Sequence, residues 1–96
     1  MKHEIVTRKW YKMYVEFYEG MVFFHTDILK WNKTIKLQYL TDFDAVSVFY
    51  PIMYAMPHDT DDKMIKFGSL LGFGVIGTHD CRDGVERKVA KYERGA

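Results

Sequence analysis

The stretch "HDTDDKMIKFGSLLGFGVIG", His58 to Gly77, holds a helix, its stop and the start of a strand. Its polar opening is rich in capping residues: Asp59 or Thr60 can accept from exposed backbone N–H groups, and the further aspartates favour the positive helix end. From Asp61 to Leu71 the apolar stripe is Met64, Phe67 and Leu71, flanked by Ile65 and Leu70. Gly72 suits the left-handed position after the last turn, and "FGVIGTHD" then runs as a strand.

Upstream, the short apolar "IMYAM" reads as a buried strand that begins after Pro51. Pro51 ends the preceding helix, since the residue before proline is pushed out of helical geometry. That helix spans about Thr34 to Tyr50, with Leu40, Phe43, Val46 and Tyr50 along one side and Tyr39 beside Leu40. Between Lys9 and Asp27, Tyr11, Met13, Val15 and Phe17 alternate with Lys12, Tyr14, Glu16 and Tyr18, and "EG" turns the chain into "MVFFHTD". This is an antiparallel hairpin, and Tyr14 and Tyr18 predict that its second face is partly covered too.

The tail, "CRDG" then "VERKVAKYER", predicts two strands about an Asp-Gly turn. Neither face of its last strand is cleanly apolar, so an edge position protected by charge is expected. The expected order is strand, strand, helix, strand, helix, strand, strand. Residues 1–96 thus form one α/β (α+β) domain, a mostly antiparallel sheet with two principal helices.

Apolar residues make up 48% and aromatic residues 17%, which predicts an aromatic core with rings left for a partner. Fourteen basic residues against thirteen acidic ones give no support for binding a nucleic-acid backbone. The one cysteine, Cys81, has no internal disulfide partner and no neighbouring cysteine for a metal-ligand pair, so a reducing, cytoplasmic setting is the simplest expectation. "MKHEIVTRKW" lacks the apolar core of a signal peptide, and "VSVFYPIMYAM" is too short to span a bilayer; no membrane role is expected.

Individual residues have competing readings. His58 can bind a ligand or take a proton from an amine, but a turn residue that helps cap the helix is the simpler role. His25 and His79 can face one another across strands as a base pair or metal site, yet no ligand spacing joins them, and no metal is expected. "HDTDD" lacks the central glycine and final glutamate of a calcium loop. Cys81 beside Arg82 has no ordered histidine to make it a nucleophile. The rings of "WYKMYVEFY", with lysines and glutamates between them, can form a stacking platform for bases, but a division between core and protein interface is the simpler reading because Glu16 and Glu19 balance the charge.

The element order, the strand ending "IMYAMP", the polar "HDTDD", the helix "KMIKFGSLLGF" and the closing "DGVERKVAKYERG" resemble the C-terminal portion of the GNAT superfamily of N-acyltransferases. A narrower likeness is to the GNAT-like internal virion proteins of short-tailed phages, and it covers roughly Met21 to Gly95. The resemblance implies an acyl-coenzyme A site in which Lys30, Trp31, Asn32, Lys33 and Thr34 hold phosphate and His58 opens the last helix. Family members have a glycine-rich turn there, whereas this chain has "DILKWNKTIK" and no glycine from Met21 through Gln38. Many also place a tyrosine four residues before the helix-ending glycine to protonate the departing thiolate, where this chain has Gly68. Little chain precedes Lys9 to shape an acceptor pocket, so the resemblance implies either a truncated, pared-down GNAT-like domain or a second copy that completes it.

Two functions are therefore expected. In the first, a phage-type protein without bound cofactor acts by protein–protein interaction, on itself as a homodimer or on a host protein in the host cytoplasm. In the second, the chain is an acetyl-CoA-dependent N-acyltransferase.

Overall fold

The structure is a computed structural model and describes residues 1–57 and 62–95. Its elements are β1 (Lys2–Thr7), β2 (Tyr11–Tyr18), β3 (Met21–Ile28), α1 (Lys33–Phe49), β4 (Ile52–Ala55), α2 (Asp62–Leu71), β5 (Gly74–Asp80) and β6 (Glu86–Glu93). The strands form one sheet in the order β1-β2-β3-β4-β6-β5. Only β3 and β4 are parallel; all other neighbours are antiparallel.

The β2–β3 hairpin turns on Glu19 and Gly20, both at positive φ (48° and 77°), the backbone of a two-residue turn whose twist matches the strands. Its register follows from Tyr18 opposite Met21: Tyr14 stands opposite His25 and Tyr11 opposite Ile28. Tyr11, Met13 and Val15 are buried, on the face that α1 covers with Ile35, Tyr39, Phe43 and Val46. Each such side chain stabilises the fold by about 1.5–3 kcal/mol.

Both helices lie on this same face. Phe67 of α2 meets the Tyr39 ring of α1 edge-on at 5.3 Å, and Phe43 contacts Phe73 and Tyr92 beyond it. At the end of α2, the Phe73 N–H donates to the Gly68 carbonyl (2.9 Å) and the Gly72 N–H to the Ser69 carbonyl (3.1 Å). That closure requires the left-handed Gly72, at φ 102°. The expected capping by Asp59 or Thr60 lies outside the described residues.

Two expectations change. "KHEIVT" forms β1, an additional edge strand whose mostly exposed residues show no apolar alternation. The closing strand β6 is interior, between β4 and β5, and β5 is the edge. Arg87 pairs with Asp83 and Lys91 with Glu93, while Ala90 and Tyr92 reach the core, so a charged strand fits inside the sheet. The second sheet face is partly covered, as expected, without a helix among the described residues: Tyr14, Glu16, Phe23 and His25 are half-buried, while Tyr18 is 60% exposed.

Candidate functional site

The one parallel pair in the sheet is also its weakest seam. β3 and β4 are in register only at Phe23 and Tyr54, whose rings lie 6.0 Å apart. Beyond that bridge β3 continues to Ile28, while β4 stops at Ala55 and the chain leaves through Met56 and Pro57. Proline has no N–H to extend a ladder, so the strands part.

A cavity of about 1020 Å³ opens where they diverge. Its walls are Tyr14, Glu16 and His25 from the second sheet face, Ala55, Met56 and Pro57 after β4, and Met64, Ile65 and Gly68 from α2. Because α2 packs on the opposite face, the cavity runs through the opening between the strands. The β5–β6 pair adds Gly77, His79 and Val89. Since β3 and β4 run in one direction and each is followed by a returning helix, α1 and α2 both begin at the open end, the usual place for a ligand beside parallel strands.

Glu16 and His25 form a hydrogen-bonded pair in this wall, Nε2 to Oε1 at 3.0 Å. Burial and then the Lys2 ammonium hold His25 below its ordinary value, only partly offset by Glu16, so the ring is neutral at neutral pH. A carboxylate can only accept, so Nε2 carries the proton and Nδ1 the lone pair. Nδ1 has no hydrogen-bond partner among the described residues. The bond to His25 keeps Glu16 ionised below its ordinary range, helped by the chain's amino group at 3.4 Å. Beside them the Tyr14 hydroxyl donates to Asp27 at 3.0 Å.

The residues expected to hold phosphate sit together in the β3–α1 connection. Asn32 is the cap of α1, its Oδ1 accepting from the Ile35 N–H at 2.8 Å. Lys33 and Thr34 are exposed in the first turn, which has no acidic residue. Trp31 points between the helices, edge-on to Tyr39 (5.6 Å) and Phe67 (5.3 Å). The Lys30 ammonium lies 4.8 Å from the centre of the Trp10 ring. His58 lies outside the described residues.

His25 and His79 are not cross-strand partners: the first stands opposite Tyr14, the second opposite Arg87. No group of three His, Cys, Asp or Glu side chains could hold a metal ion among the described residues, and none of their helices is long and apolar enough to cross a membrane. Sequence reading passed over the Glu16–His25 pair, although the Glu19-Gly20 turn carries the signal. Counting outward from that turn puts His25 opposite Tyr14 and diagonal to Glu16 on one face. Compared with known proteins, the chain matches no family model, no curated protein and no solved structure.

Proposed function

We propose that this chain is a GNAT-like N-acyltransferase that moves an acyl group from a coenzyme A thioester to an amine. The observation that carries the reading is the cavity at the parting of β3 and β4, with the neutral His25 and its partner Glu16 in the wall. Apolar walls suit a pantetheine arm, and the lysines of the β3–α1 connection suit the phosphates behind it. The strand order and the two helices on one face agree with the family resemblance carried by "KMIKFGSLLGF" and the closing hairpin.

The chemistry asks for a base more than for an acid. An amine is protonated near neutral pH and must lose that proton before its nitrogen can attack the thioester carbonyl. His25 takes the proton at Nδ1, and Glu16 holds the ring and stabilises the imidazolium. The C–N bond forms and the C–S bond breaks. The thiolate leaves with the electron pair and receives the proton from His25; the ring, neutral again, takes the second proton from the acylated nitrogen and passes it to water, so Gly68, which has no proton to give, does not block turnover.

Calorimetric titration with acetyl-CoA, followed by thiol release with a panel of primary amines, tests the reading. Saturable heat and amine-dependent thiol release are expected. No heat and no thermal shift at millimolar acetyl-CoA would reject it.

A second reading rests on a different observation, the second face of the sheet and the β5 edge, every residue of which is exposed. In that reading the chain is a phage-type interaction protein that binds a second copy, or a host protein in the host cytoplasm, by covering this face or extending the sheet. A sedimentation mass that stays monomeric over a wide concentration range would exclude the second copy.

A further inference from the structure

Lys9 and Lys30 come from different parts of the chain, yet their ammonium groups lie 4.9 and 4.8 Å from the centre of the same indole, Trp10. Neither has a carboxylate partner among the described residues. Asp42, which meets the residues flanking this turn, is already taken by the Arg8 guanidinium through two bonds of 2.9 Å and by the Tyr11 hydroxyl. Two like charges are thus gathered on one ring with nothing to neutralise them, although flexible lysine stems would separate in water. An anion placed between them turns that repulsion into attraction.

The indole is a fixed surface. The Trp10 backbone carbonyl accepts from the Leu29 N–H at 2.8 Å, the flanking Arg8 N–H donates to the Tyr11 carbonyl at 2.9 Å, and the ring packs against the core. A flat ring with cations at its faces suits an aromatic base that carries phosphate: the base stacks, and a displaced ammonium meets the phosphate.

Its position relative to the cavity supplies the length. The Leu29–Trp10 bond places the ring at the end of β3, two residues beyond Asp27, which lines the cavity. From His25, whose ring takes the amine proton, to Leu29 is four residues, a span of about 13 Å at strand rise. A pantetheine arm covers that span between its thioester and its pyrophosphate without being fully extended. We infer that Trp10, Lys9 and Lys30 form the seat for the adenine nucleotide end of the acyl donor. This rests on the proposed acyl transfer, and it replaces a glycine-rich phosphate turn with side chains from two connections.

The test titrates three probes, acetyl-CoA, S-acetylpantetheine and ADP, into the wild-type protein and into K9Q/K30Q. Both lysines are exposed, and an unchanged thermal midpoint checks that the variant folds. The seat predicts that acetyl-CoA binds about tenfold more weakly to K9Q/K30Q, with a shallower salt dependence, while S-acetylpantetheine is unaffected. It also predicts that ADP quenches Trp10 fluorescence in a W31F background. Acetyl-CoA affinity within about twofold of wild type in K9Q/K30Q overturns the seat and leaves acyl transfer standing. ADP binding that depends on these lysines, with no S-acetylpantetheine binding and no thiol release, keeps a nucleotide seat and overturns acyl transfer. No binding of any probe overturns both.

Discussion

His25 is joined to Glu16 diagonally across the β2–β3 hairpin; the bond sets the tautomer of the ring, while burial keeps the ring neutral against the pull of the carboxylate. If His25 is the base, turnover needs the neutral imidazole. The ordinary value of 6.5 is lowered here chiefly by burial, so kcat/KM should rise along a limb centred below pH 6.5 and stay level above it. His25→Gln should cost about 10²–10⁴ in rate. Glu16→Gln removes the carboxylate that favours the imidazolium, so the limb should move further down in pH while folding is kept. A pH profile of thiol release reads all three, and a limb that Glu16→Gln leaves in place would separate His25 from the chemistry.

Gly72 should not tolerate a side chain. At φ 102° an L-residue is strained, and a Cβ would stand 3.2 and 3.3 Å from Tyr92 Cε2 and Cδ2. Tyr92 is held by Phe43 and Phe73, so it has little freedom to withdraw. Gly72→Ala is expected to destabilise by roughly 1–3 kcal/mol, seen as a lower urea midpoint with an unchanged slope. Gly74→Ala is the control, since no atom lies within 4 Å of its Cβ position.

Local signals in the sequence carried the elements, and contacts between distant segments decided what they did not. Glu19-Gly20 announced the hairpin, Pro51 the end of α1 and Gly72 the end of α2, because each acts through backbone geometry within a few residues. β1 escaped because an edge strand with one neighbour needs no apolar alternation. β6 read as an edge because its charges looked solvent-bound, whereas two of them pair with Asp83 and Glu93. At the site, Lys30 to Thr34 was visible as a contiguous run. The Lys9–Trp10–Lys30 cluster was not, since it exists only where the Leu29–Trp10 bond joins two connections.

Tyr18 and Ile52 lie on the second sheet face, 60% and 47% exposed. If that face binds a second copy, Tyr18→Glu with Ile52→Glu should yield a monomer by sedimentation at concentrations where wild type is dimeric. Exposed positions of this kind change monomer stability by only about 0.5 kcal/mol, so the thermal midpoint of the dissociated chain should hardly move. A double variant that still dimerises would assign the contact to the β5 edge instead.

The core carries an alkaline limit of its own. Burial raises Tyr11 from 10.0 to about 12, aided by its bond to the Asp42 carboxylate, and burial raises Tyr39 further, against the effect of its bond to Thr26. For both, the folded state keeps a proton that the unfolded chain releases. The sign follows directly: stability from these groups is complete below pH 10 and falls as pH rises above it, by about 1.4 kcal/mol per pH unit for each tyrosine. The loss due to Tyr11 levels off near its folded value of about 12, while that due to Tyr39 continues. Urea unfolding between pH 9 and 11 should therefore show a steepening loss that Tyr39→Phe roughly halves, because phenylalanine fills the same space without a proton to release. An equal slope in Tyr39→Phe would place the alkaline limit elsewhere.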